Sequence, residues 1–213
     1  MDTRKRSFAI DFNSPVILWL TIIALAVLII DLITPINMIM LFGARRTTIF
    51  DPMQYVRLFT HVLVHADITH YVGNFMMILA IGPMVEEKYG GGRLVLAIVI
   101  TAFITGLFKV LFFPGVVLVG ASGIVFMLIL MASFTNIRHG RLPITVLLVA
   151  VLYIGNEIIL GLFTSDNVSR ISHIIGGLCG AVFGLAVHAK QLNEDIVSGK
   201  AFDITPYGSK KKK

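Results

Sequence analysis

Charge is scarce in this chain, and cysteine is nearly absent. Only 14% of its 213 residues are charged while 56% are hydrophobic, whereas a soluble domain carries roughly a quarter charged residues. That excludes an ordinary soluble enzyme and points to a polytopic membrane protein. The one cysteine, Cys179, rules out an intramolecular disulfide and lies in an apolar run, where packing is its role. No strand alternation is visible, and the longest stretch between apolar runs, residues 37–68, is too short for a core of its own. The G-x-S-x-G elbow of soluble hydrolases is missing, as is the H-E-x-x-H pair of zinc peptidases. An internal repeat with helices broken at the midplane, which a transporter would need, is missing too. The net charge of +6 does not indicate nucleic acid, because the basic residues fall at the chain ends and in short loops.

What is present is a series of apolar runs. A span needs about 20 mostly apolar residues, and the sequence predicts six, at 16–36, 69–86, 94–113, 120–137, 143–163 and 171–189. The first follows Arg4-Lys5-Arg6 like a signal peptide, but it is too long for one and no small-residue cleavage site follows. Pro15 and Pro143 stand at span starts, where a missing N–H costs nothing. Thirteen of the 18 Lys and Arg fall on one side of this arrangement; the other side keeps Arg45, Arg46, Arg57, Lys109 and Arg170. The positive-inside rule then puts both termini in the cytoplasm. The expected organisation is a cytoplasmic segment 1–14, a membrane domain 15–190 and a basic cytoplasmic tail 191–213. Segment 37–68, apolar with basic and aromatic residues, is expected to lie in the outer interface.

The topology turns polar residues into a depth map. His70 and Asn74 fall on the first turns of span 2, Ser122 near the start of span 4 and His173 on the first turn of span 6. All three spans enter from the outer side, so four chemically capable residues share one depth. His70 and Asn74, four apart, share a helix face. On span 6, Gly176, Gly180 and Gly184 form a small-residue stripe that lets a neighbouring backbone approach, and His173 leads it. Gly120 and Gly123 clear the space around Ser122. If span 4 is the neighbour, imidazole reaches hydroxyl, the minimum for nucleophilic acyl transfer. Asn74, His70 and the Ser122 backbone N–H are then candidate oxyanion donors. No acid is placed to orient His173, so the reading is a dyad without cofactor or metal.

The runs "RLFTHVLVHADITHYVGN", "GASGIVF" and "SHIIGGLCGAVFG", on spans 2, 4 and 6, resemble the rhomboid intramembrane serine proteases over residues 15–190. The resemblance implies an all-α bundle of six transmembrane helices with an interfacial first loop, cutting membrane-spanning protein substrates near the outer face. It implies Ser122 as nucleophile and His173 as base, with His70 and Asn74 at the oxyanion and Phe126 packing on the histidine. Glu86 and Gly90 match an acid-then-glycine pattern closing span 2, while span 5 and loop 164–170 match a lateral gate and cap. Val56 departs from the family, which often has a large aromatic before the arginine matching Arg57. The minimal form without an organelle-targeting sequence suggests a prokaryotic plasma membrane.

Taken singly, Ser122 and His173 would most often be packing residues; shared depth favours catalysis. His61 and His65, at i, i+4, suggest a metal, but hydrogen bonding within the interfacial loop is the preferred reading. Asp31, near the outer end of span 1, is expected to be satisfied by interfacial hydration. Asn156 and Glu157 remain inside span 5, and for Glu157 packing is preferred over gating. The rival to a protease is a catalytically silent relative that binds membrane clients; such relatives typically lack the serine or the histidine, and both are present here.

Overall fold

A computed structural model describes residues 13–134 and 167–197, with isolated positions between 144 and 159. The described chain is helical. Its long helices are α1 (Pro15–Ile33), α4 (Ile68–Tyr89), α5 (Gly91–Phe112), α6 (Ser122–Phe134) and α7 (Asn167–Val197). Between α1 and α4 lie two short helices, α2 (Met38–Phe42) and α3 (Pro52–Thr60), and a 3-10 turn at His61–Leu63. Helices α1, α4, α5 and the Arg170–Lys190 part of α7 are long and apolar enough to cross a membrane. The described part of α6 is shorter and equally apolar. Span 143–163, with Asn156 and Glu157, lies outside the described residues apart from isolated positions.

Helix ends follow local chemistry. Pro15 opens α1, where its missing N–H is harmless. The next two N–H groups, of Val16 and Ile17, donate to the Glu86 carboxylate at 3.0 and 3.1 Å, so α4 caps α1. Asp67 caps α4, and at the other end a single residue, Gly90 at φ +84°, ends α4 and leads into α5. Span 3 therefore starts at Gly91 rather than at 94, because the chain turns within one glycine. Asp31 takes part in another link between helices. Its carboxylate accepts the Met38 N–H at 2.6 Å and so ties α1 to α2, a bond the sequence reading did not anticipate.

The fully buried side chains, among them Phe75, Ile78, Leu94, Ile124, Met127 and Met131, gather where α4, α5 and α6 meet. Trp19, Leu32, Met76, Leu178 and Val182 face outward, as a lipid-facing surface requires. Segment 37–68 is held by directed bonds instead. Arg57, buried, donates to the Leu41 carbonyl at 2.9 Å and pairs with Asp51 at 2.9 Å. Ala44 and Leu118 exchange both backbone hydrogen bonds at 2.9 Å, which pins this segment to the loop before α6. Val56 is exposed, so its small side chain opens no hole in that packing.

Candidate active site

Ser122 is the first residue of α6, and the two residues before it fix where it stands. Gly120 has φ +107°, a left-handed conformation that disfavours any side chain. It also lacks room for one, since a Cβ there would lie 2.6 Å from His70 Nε2. The Gly120 N–H donates to the His61 carbonyl at 3.0 Å, and the Ala121 N–H to His65 Nε2 at 3.3 Å. The Ala121 carbonyl receives the Val125 N–H at 3.0 Å, closing the first turn of α6. Both N–H groups ahead of Ser122 are thus pegged to the 61–65 segment.

The opposite wall comes from α4. The Asp67 carboxylate accepts the His70 N–H at 2.7 Å and sets the first turn. His70 Nδ1 receives the Ala66 N–H over a long 3.5 Å. In neutral His70 that leaves the proton on Nε2, the nitrogen turned toward Gly120. One turn on, Asn74 is buried, and its Nδ2 has no hydrogen-bond partner among the described residues. A buried amide donor left unpaired costs about 1–3 kcal/mol, so an acceptor entering the cleft would gain a hydrogen bond from Asn74.

Helix α7 brings the histidine. A Cβ on Gly176 would collide with the Gly123 carbonyl and one on Gly180 with the Met127 carbonyl, so the α6 and α7 backbones touch along the stripe. Gly184 instead meets the ring of Phe134. His173, at the head of the stripe, has its ring centroid 4.5 Å from that of Phe126, inclined at 41°. The result is a cleft of about 420 Å³ in which Ser122, His173, His70 and Asn74 meet, with Val119, Val125 and Phe126 completing its walls. Gly120 and Gly123 stand behind it, one against His70 and the other against α7. Every site residue named from the sequence falls on or beside this cleft.

His61 and His65 do more than brace their own loop. His61 Nδ1 lies 3.3 Å from the Arg57 carbonyl, which can only accept, so Nδ1 carries the proton and Nε2 faces the Thr105 hydroxyl of α5 at 3.3 Å. Burial pushes the His61 pKa down to about 4. Burial, reinforced by the neighbouring His70, does the same to His65, also to about 4. Both rings are therefore neutral near pH 7, and neutral His65 can accept from Ala121. Sequence reasoning missed this link, and with it Thr105 and Asp67. The only available signal was the number of polar side chains on the approach to span 2.

Comparison with known proteins follows the same lines. The chain is 27% identical over 196 residues to the rhomboid protease GluP of Bacillus subtilis, a match covering 87% of this chain and 37% of that protein. It is 32% identical over 136 residues to the putative rhomboid protease YdcA of the same organism, covering 60% of this chain and 64% of that one. With the mouse Rhomboid-related protein 2 it shares 31% over 144 residues, or 62% of this chain and 47% of the relative. It thus spans less than two thirds of the length of each. Residues 52–190, well over half of the chain, match the Rhomboid domain, and the chain belongs to the rhomboid family.

Proposed function

We propose that this rhomboid is an intramembrane serine endopeptidase, with Ser122 as nucleophile and His173 as its base. The observation that carries the reading is the convergence of Ser122, His173, His70 and Asn74 on one cleft, with the Asn74 amide buried and unpaired among the described residues. Ser122 Oγ attacks the scissile carbonyl carbon as His173 takes the hydroxyl proton. The carbonyl oxygen becomes an oxyanion, received by Asn74 Nδ2, His70 Nε2 and the Ser122 N–H. As the C–N bond breaks, His173 returns the proton to the leaving amine. A water, activated by the same histidine, then hydrolyses the acyl-enzyme and releases Ser122. Phe126 holds the imidazole plane through these proton transfers. No cofactor is needed.

The substrates in this reading are membrane-spanning segments that enter from the bilayer and unwind near the outer face, because a helical peptide bond is shielded from attack. Helix-weakening and small residues at the cleavage site are favoured for that reason. In the same reading the protein sits in a prokaryotic plasma membrane with both termini inside and the cleft toward the outer side. Protease names among the relatives point the same way. The test is labelling by a serine-directed fluorophosphonate, together with cleavage of single-span substrates by the purified protein. The parent should label and cut; Ser122→Ala should lose both, and His173→Ala should lose cleavage. A parent that neither labels nor cuts, while all three proteins stay folded and bind clients equally, would put the silent client-binding relative in its place.

A further inference from the structure

A second cleft, also of about 420 Å³, opens between the first turns of α5 and the later turns of α7. On α7 Phe183, Val187, Lys190 and Glu194 follow at helical spacing and share one face, and α5 supplies Arg93 and, one turn on, Leu96. The cleft is apolar along Leu96, Phe183, Ala186 and Val187 and charged at one end, where Arg93, Lys190 and Glu194 gather. Lys190 lies about 25 Å along α7 from His173, so this cleft is separate from the candidate active site. Both cations also sit where membrane-spanning stretches end. The α5 span starts at Gly91 and the α7 span closes at Lys190. The charged end is therefore at headgroup depth, with the apolar part inside the hydrocarbon.

The polar groups are lightly held. Arg93 makes one long hydrogen bond, 3.4 Å, to the Tyr89 carbonyl. Lys190 meets Glu194 at 3.9 Å, with both side chains about two thirds exposed (68% and 65%), and such a pair contributes little. We propose that this cleft binds one phospholipid with an ethanolamine headgroup, in the leaflet opposite the Ser122 cleft. Its phosphate bridges Arg93 and Lys190, its ammonium meets Glu194, and one acyl chain lies along Leu96 and Phe183. Two cations beside one carboxylate match a phosphate followed by a primary ammonium. A wholly anionic headgroup would leave Glu194 facing like charge, and a choline headgroup offers it no N–H. The chain's own lysine-rich end carries the same sign as Arg93 and Lys190 and is unsuited to the charged end.

The test is native mass spectrometry of the full chain in mild detergent, after delipidation and addition of phosphatidylethanolamine, phosphatidylglycerol or phosphatidylcholine. The parent should retain phosphatidylethanolamine best. The Arg93→Gln/Lys190→Gln double variant should lose about tenfold in retention, with its thermal midpoint unchanged as the check on folding. Arg93→Lys, which keeps the charge and gives up the fork, should fall between parent and double variant. Glu194→Gln should remove the preference over phosphatidylglycerol and leave lipid binding itself in place. Equal retention of all three lipids by the parent, or an unaltered double variant, would overturn the site. Displacement of the lipid by inorganic phosphate alone would overturn it as well, showing a free-phosphate site. None of these readouts depends on proteolysis.

Discussion

The two partners of the proposed dyad are held in place by opposite means. Ser122 is fixed by directed polar contacts, with Gly120 on the His61 carbonyl and Ala121 on the His65 ring. His173 is fixed by the absence of side chains, through glycines that let the α7 backbone lie on the carbonyls of α6. The difference follows from position. The loop before α6 is irregular, so its backbone donors need acceptors from elsewhere, and the 61–65 segment supplies them. Along the glycine stripe, helices α6 and α7 have satisfied their own backbones, and what they gain there is close contact. A polar peg can be replaced by another acceptor, whereas a backbone contact has no substitute.

The largest expected effect comes from the contact side. Gly176→Val would drive a branched side chain into the Gly123 carbonyl, and relief requires α7 to move away, at about 1–3 kcal/mol or more. His173 is three residues from that point, so fluorophosphonate labelling and cleavage should both fall more than tenfold. Gly184→Ala should cost less, because it adds a single methyl and meets the Cβ and ring of Phe134, a side chain, rather than a backbone carbonyl. A Gly176→Val protein that cuts as fast as the parent would remove steric placement of the histidine from the comparison.

The polar side gives the next effect. His65→Ala leaves the Ala121 N–H without its acceptor, costing about 1–3 kcal/mol. If that loss falls on the placement of Ser122, the cleavage rate drops about tenfold. His65→Gln, which returns an acceptor, should recover most of it, and a rate unaffected by either substitution would sever the peg from the nucleophile. Acid should act on the same contacts. His61 and His65 have folded pKa values of about 4 against an ordinary 6.5, so between those values the unfolded chain binds more protons than the folded one. Stability is therefore fully present above about pH 6.5 and declines as pH falls toward 4. Thermal midpoints measured across that window should trace the decline, and His65→Gln should make it shallower.

The contrast also explains what could be read from the sequence. The side chains proposed to act on substrate announce themselves by type and depth, and Ser122, His173, His70 and Asn74 share one depth in the sequence and one cleft in the structure. The glycine stripe was legible because its spacing is a helix period. His65 was not, because its partner is the backbone N–H of Ala121, a group every residue but proline carries. Asp31 hid its role for the same reason, its partner being the Met38 N–H, and Thr105 was missed because its partner, the His61 ring, is 44 residues away in sequence. The i, i+4 spacing of His61 and His65 raises a metal reading, and hydrogen bonding within their own loop is the preferred one. The chain instead passes through a 3-10 turn at His61–Leu63, which sends one ring to α5 and the other to the loop before α6.

The smallest expected effect concerns a polar peg remote from the cleft. Glu86 caps α1 through two N–H groups, and it lies twelve residues beyond Asn74 on α4, about 18 Å along the axis. Glu86→Ala should cost about 1 kcal/mol of stability, as loss of a helix cap does. It should leave the rate constant for cleavage unchanged at temperatures where the protein stays folded. Glu86→Gln, with one oxygen for two donors, should fall between parent and Ala. If kcat drops together with the thermal midpoint, the attachment of α1 to α4 feeds into the placement of His70 and Asn74. The peg would then belong with His65 as a positioning contact, and distance along α4 would not insulate the site. If the midpoint falls and kcat holds, polar pegs divide into those that place the nucleophile and those that only hold the bundle.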